Sequence, residues 1–185
     1  MSLFDAFLKI DGIDGESLQK GHEKEIELTG FTWGAENSGS FAGNLGGGSG
    51  KVAMRDFKFT VPVNKSTPKL FLACCTGDHI KSATLTCRKA GTTQQEYLKW
   101  TFTDLLISSY TVEAYAYDTP FHKHFIGGVG EGGSAVEQPV DSVIPTDEIT
   151  FNFTKVEMSY APQKADGSLD ASLPAGFNLK TGTKV

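Results

Sequence analysis

The chain has 185 residues, 39% of them hydrophobic, which is enough for one well-buried core and carries no bias toward disorder, collagen or a disulfide scaffold. A formal net charge of −5 argues against nucleic-acid binding, which needs a basic stripe to neutralise phosphates. Met1-Ser2-Leu3-Phe4-Asp5 lacks the basic and apolar regions of a secretory signal, and no stretch approaches membrane-spanning length, so membrane insertion is not expected.

Most of the sequence alternates with period two, the mark of strands that bury one face. Phe7 and Lys9 beside Leu8 and Ile10 predict a first strand that ends at the turn Asp11-Gly12-Ile13-Asp14-Gly15. Glu25, Ile26, Glu27 and Leu28 alternate, and then the apolar phase shifts by one at Phe31 and Trp33. An extra residue produces such a shift, so a bulge is expected near Thr29-Gly30. The glycine tract Gly43-Asn44-Leu45-Gly46-Gly47-Gly48-Ser49-Gly50 follows, and Phe57, Phe59 and Val61 return the chain to the sheet.

Thr67-Pro68 supplies a cap and a first-turn proline for one short helix. Leu70, Phe71, Leu72, Cys74 and Cys75 fill a single face, and Gly77 stops it. So short a helix is marginal alone and must dock on the side of the sheet structure. Further strands are marked by Leu85 and Cys87, by Leu98, Trp100 and Phe102, and by Ile149, Phe151 and Phe153. The phase then flips to Val156, Met158 and Tyr160, which predicts a second bulge at Thr154-Lys155. The stretch 110–146 reads as a long loop or extra hairpin, and 161–185 as a flexible, poorly ordered tail. The expected fold is mainly β: an antiparallel β-barrel over residues 1–160 with one side helix and a long extended Gly-rich loop.

A glycine run costs entropy to order, so a folded domain keeps one where backbone must move or must approach another chain closely. Gly46, Gly47, Gly48, Ser49 and Gly50 are therefore candidate contacts with a partner chain. Gly50-Lys51 invites comparison with a phosphate-binding loop, but Leu45 stands where that loop needs glycine and Val52 where it needs a hydroxyl. Nucleotide binding is not expected.

No cofactor, metal or catalytic set is expected either. His22, His79, His122 and His124 lack metal-ligand spacing and read as surface or interface residues. Cys74 and Cys75 have no neighbouring base and read as core. With Cys87 they leave an odd cysteine, which fits a chain made and folded in the cytoplasm. Asp104 and Glu113 are the candidates for a glycosidase carboxylate pair, with solvated strand faces as the plainer reading. Trp33 and Trp100 stack sugars in the alternative reading, a monomeric carbohydrate-binding β-sandwich module. Both lie in the apolar phase of a strand and read more simply as core.

Several of these segments, in this order, resemble Hcp, the tube-forming haemolysin-coregulated protein family of bacterial type VI secretion systems. They are Asp11-Gly12-Ile13-Asp14-Gly15-Glu16-Ser17 followed by His22; Phe31-Thr32-Trp33-Gly34; the glycine tract into Gly50-Lys51-Val52; and Lys65-Ser66-Thr67-Pro68 through Ala73-Cys74 to Gly77 and His79. Arg88-Lys89-Ala90-Gly91 with Glu96-Tyr97, and Tyr160 with Pro162-Gln163-Lys164-Ala165-Asp166-Gly167, complete the match. The resemblance implies a non-enzymatic tube subunit that forms a homo-hexamer stacking into tubes, with Gly46–Gly50 at ring-stacking or subunit contacts and Thr32 lining the lumen. It further implies sheath and spike proteins as partners, effector cargo in the lumen, and secretion without a signal peptide from a cytoplasmic origin. The stretch 110–146 is longer than the family usually has.

Overall fold

In β1 (Asp5–Ile10) the side chains of Ala6, Leu8 and Ile10 enter the core while Lys9 stays in solvent, as the alternation requires. The computed structural model describes residues 5–37, 51–89, 94–114 and 144–185. Along these run β2 (Ile26–Glu27), β3 (Gly30–Thr32), β4 (Ala35–Asn37), β5 (Val52–Met54), β6 (Phe57–Pro62), α1 (Thr67–Thr76), β7 (Ile80–Lys89), β8 (Gln95–Glu113), β9 (Thr146–Tyr160), β10 (Leu173–Asn178) and β11 (Thr183–Lys184). Every named pairing is antiparallel.

The pairings follow a circuit. β6 pairs β9, β9 pairs β8, β8 pairs β7, β7 pairs β1 and β1 pairs β2, while β3, just past β2, pairs β6. The join between β2 and β3 is the expected Thr29-Gly30 bulge, and the structure corrects it. The Leu28 amide donates to the Ala6 carbonyl and the Thr29 amide to the Thr60 carbonyl, both at 2.9 Å. The chain there changes partner from β1 to β6, and that handover resets the apolar phase without an extra residue bulging against one neighbour.

Inside the circuit, Phe57 packs its ring 4.9 Å from Phe102 and 5.0 Å from Phe151, and Phe102 lies 5.2 Å from Phe151. These rings and Phe59 are fully buried and come from β6, β8 and β9, so one aromatic cluster joins three strands.

The second expected bulge, at Thr154-Lys155, is also corrected. Thr103 faces Lys155 and Leu105 faces Phe153 in a single register, so β9 holds no extra residue there. Both strands flip phase together, from Phe102 to Leu105 and from Phe153 to Val156, with Asp104 at φ 56 between them. The register shifts that do occur lie between Ile107 and Ser109 on β8 and between Cys87 and Arg88 on β7.

At the same level β9 exchanges partners on its other edge, from β6 (Phe57 opposite Phe151) to β10 (Asn178 opposite Lys155). The expected poorly ordered tail is thereby corrected: β10 pairs β9 and β11 pairs β10. Once β6 ends, the backbone N–H and C=O groups of β9 need partners, and a polar segment supplies them as well as an apolar one. Of 110–146, the first residues continue β8 as far as Glu113 opposite Thr146, and 115–143 lie outside the described residues.

Helix α1 stops at Gly77, whose φ of 70 suits glycine and whose amide donates to the Ala73 carbonyl at 3.0 Å. Ser66 occupies the N-cap without a side-chain capping bond, and Pro68 lies in the first turn. The expected single apolar face is corrected: Leu70 and Ala73 are buried, but Phe71 and Leu72 are 52% and 55% exposed. Consecutive apolar residues at 100° spacing overrun the stripe that can face a wall. Cys75 is exposed and Cys74 only partly buried, so the core reading fails for the first and holds partly for the second. No helix among the described residues is long and apolar enough to cross a membrane.

The turn after β1 is built on Gly15, where a Cβ would stand 2.3 Å from the Glu25 carbonyl oxygen. Its amide donates to the Lys24 carbonyl at 2.7 Å, which fixes the two backbones at that spacing. Gly15→Ala must therefore push backbone apart and is expected to cost about 1–3 kcal/mol, measured by urea denaturation against wild type.

Candidate assembly surface

Gly46, Gly47, Gly48, Ser49 and Gly50 lie outside the described residues, but the root of the arm that carries them is described. β4 and β5 pair with Ala35 opposite Met54 and Asn37 opposite Val52, so the tract joins two antiparallel strands. The root is tied to the barrel by Trp33, whose indole N–H donates to the Arg55 carbonyl at 2.9 Å. The Trp33 ring meets Trp100 edge-on at 5.1 Å and also touches Phe102 and Phe153. Both tryptophans pack against the core, as expected, and do not form an open sugar platform. Arg55 pairs with Glu36 across the root and donates its amide to the Gly34 carbonyl.

Thr32 is exposed on β3, opposite Lys58 of β6. Phe57, Phe59 and Val61 point into the core, so Lys58 and Thr60 occupy the other face of β6. On β9, Ile149 and Phe151 point inward and Glu148 and Thr150 share that other face. Lys58 and Glu148 form an ion pair at 2.6 Å, a diagonal contact set by register and so invisible in the linear sequence.

The side helix is locked to the barrel by a polar cluster that the sequence reading did not find. Asp147 is fully buried and accepts hydrogen bonds from the Thr67 hydroxyl and, at 2.9 Å, from the Tyr110 hydroxyl. One carboxylate thus ties the first turn of α1 to β8 and β9. Asp147 follows the apolar phase of Ile149 and Phe151, and a charge in that phase is the signal that marks such a residue.

The histidines divide. His79 is exposed beside Asp104, whereas His22, expected at the surface or an interface, is buried within the chain. Its ring stacks on Phe7 at 4.3 Å, with Nδ1 2.8 Å from Glu25 and Nε2 3.5 Å from Glu96. The segment after β1 folds back over the outer face of Phe7, and this stacking buries His22. His122 and His124 lie outside the described residues.

The expected weakness of the glycosidase pair is geometric. Asp104 and Glu113 sit nine positions apart along β8, about 30 Å at strand rise, beyond the separation that glycoside chemistry uses. Hydrogen bonds from Lys180 and then His79 hold the Asp104 carboxyl down to about 2, and this pair pins the turn after β10 to the barrel. Burial pushes the Cys87 thiol up to about 11, which removes its nucleophilic form at neutral pH. No group of three or more His, Cys, Asp or Glu among the described residues could hold a metal ion.

Burial, followed by the hydrogen bond to Asp147, pushes the Tyr110 phenol up to about 12 from its ordinary 10. A folded value above the unfolded one favours the neutral ring, so its contribution to stability is complete below about pH 10 and lost as pH rises through about 12. Tyr110→Phe removes one donor from buried Asp147 and should cost about 1–2 kcal/mol at pH 7. The gap from wild type should close between about pH 10 and 12, read from denaturation midpoints across that range.

A family model described as type VI secretion system effector, Hcp, matches residues 7–160. The protein hcp1 of Pseudomonas aeruginosa is 39% identical over 183 residues, covering 98% of each chain. A solved structure described as a type six secretion system protein superposes with a TM-score of 0.80 at 27% identity, covering 98% of this chain and 99% of that one. Hcp1 from Salmonella typhimurium gives 0.69 at 27% identity, with the same two coverages. The motif order, the β-rich fold with its side helix and these full-length likenesses agree, and the chain belongs to the Hcp family of type VI secretion system effectors.

Proposed function

We propose that the chain is the tube subunit of a type VI secretion system: identical copies form hexameric rings, the rings stack into a tube, and the tube is secreted with effectors in its lumen. The observation that carries this reading is the family match across 7–160, which spans the strands of the circuit and the side helix. The subunit acts without catalysis, cofactor or metal, starts in the cytoplasm, and works with sheath and spike proteins that drive it out.

A ring of identical subunits joins two unlike patches, and the rotation between them closes. Two apolar exposures on different elements are available for this. Phe71 and Leu72 stand on α1, and Met158, Tyr160 and Leu173 line the β9–β10 pair. Thr32 lines the lumen, and Gly46–Gly50 supply backbone contacts between stacked rings. The carbohydrate-binding alternative has no observation in its favour.

Purified protein should run as a closed hexamer in native mass spectrometry without added metal or nucleotide, with a melting temperature that rises with protomer concentration. Monomer across a wide concentration range overturns the ring. Removing Gly46, Gly47 and Gly48 deletes no side chain from the core, so it should leave the barrel's melting temperature nearly unchanged while abolishing tube growth and secretion. Circular dichroism and electron microscopy of the same sample separate these two effects.

A further inference from the structure

On the wall that carries Thr32, charge does not balance. The non-core face of β3, of β6 with Asp56 just before it, and of the part of β9 opposite β6 carries Asp56, Lys58 and Glu148 as its charged side chains. Lys58 is held by Glu148 at 2.6 Å. Asp56 is exposed, and no cation among the described residues pairs with it: its carboxylate accepts from the Ser108 hydroxyl, which lies 2.8 Å from the hydroxyl of Thr150, the residue opposite Lys58. Arg55, next to it in the chain, pairs with Glu36 at the arm root. Two carboxylates against one ammonium leave one net negative charge. Around it the face is mostly hydroxyl, from Thr32, Thr60, Thr150 and Ser108.

Hydroxyls donate and accept, so they do not choose between cationic and anionic visitors, whereas an unpaired carboxylate does. A ring repeats that carboxylate in every subunit, and a belt of like charges facing one space sums small attractions over a single bound surface. Each attraction is exposed to solvent and screened by salt, so the bound surface can still leave. We propose that Asp56 makes this face a selector for cargo with a basic surface: the lumen takes proteins that present lysine or arginine clusters, whose N–H groups are shared between the Asp56 carboxylate and the hydroxyls beside it. This rests on the tube reading, with Thr32 on the lumen side.

Counting the net charge on the face predicts an order of affinities. Asp56→Asn and Glu148→Gln each bring the face to zero, and Lys58→Met doubles its negative charge. All three side chains reach solvent, so these substitutions should leave the barrel intact. Asp78→Asn makes the same charge change on the turn between α1 and β7 and serves as the control. Each protein is imaged for rings by electron microscopy, and binding of fluorescein-labelled hexalysine and hexaglutamate is read by anisotropy. Wild type should prefer hexalysine. Asp56→Asn and Glu148→Gln should bind it about tenfold more weakly, Lys58→Met about tenfold more tightly and Asp78→Asn within about twofold of wild type, and about 0.5 M salt should level the series. Ring-forming variants that depart from this order, or a control that weakens binding as much as Asp56→Asn does, overturn the proposal while leaving the tube reading intact. So does a folded Asp56→Asn protein that loses the ring, because the face is then a subunit contact. A wild-type protein that never forms rings overturns the tube reading and this proposal with it.

Discussion

Backbone pairing along β9 is the constraint on which the rest of the structure depends. The strand runs Thr146–Tyr160 and presents two edges of hydrogen-bonding groups that burial does not allow to go unpaired. β8 satisfies one edge along its whole length, and β6 and β10 divide the other. The first half of β9 therefore builds the barrel wall and the aromatic cluster, and the second half builds a sheet that extends past it. Asp147 near the start of the strand then sets where α1 can sit, because its carboxylate takes the hydrogen bonds of both Thr67 and Tyr110.

Much of this was legible in the sequence because burial on one face of a strand writes itself as alternation. Phe57, Phe59 and Val61, or Leu85 and Cys87, need no partner to be recognised as inward. Phase shifts were legible as events but not as kinds of event. At Thr29-Gly30 and at Thr154-Lys155 a one-residue slip looks the same whether a strand bulges or changes neighbours, and only the pairing partner tells the two apart. The C-terminal strands carried no signal for a related reason. They are recruited by the open edge of β9 through backbone groups that every residue owns, so their side chains remain polar and mostly exposed.

The candidate surface shows the same division. Trp33 and the glycine tract stand out within a few residues, whereas the Lys58 and Glu148 pair joins positions ninety apart whose proximity is a product of register. His22 was misplaced because a histidine in a polar, turn-rich segment looks solvated until that segment folds back over Phe7. Helix α1 errs in the opposite direction: its apolar run is wider than one wall can cover, and the surplus at Phe71 and Leu72 stays exposed. Family motifs bridged these gaps in the sequence reading because they encode the folded arrangement without requiring its geometry to be worked out.

The edge of β10 bears on a different problem, the colloidal behaviour of a protein that works in many copies. An exposed strand edge is a template onto which further chains can add without limit, and crowding sharpens that hazard. On β10 the edge is interrupted by Pro174, which has no N–H to offer, and Gly176 is covered by the amide of Val185. β11 closes the remainder and is itself only two residues long, with Lys184 at its end. Sideways fibril growth is thus starved of a template at the C-terminal margin of the sheet, which leaves side-chain surfaces, with their fixed stoichiometry, to govern how copies meet there.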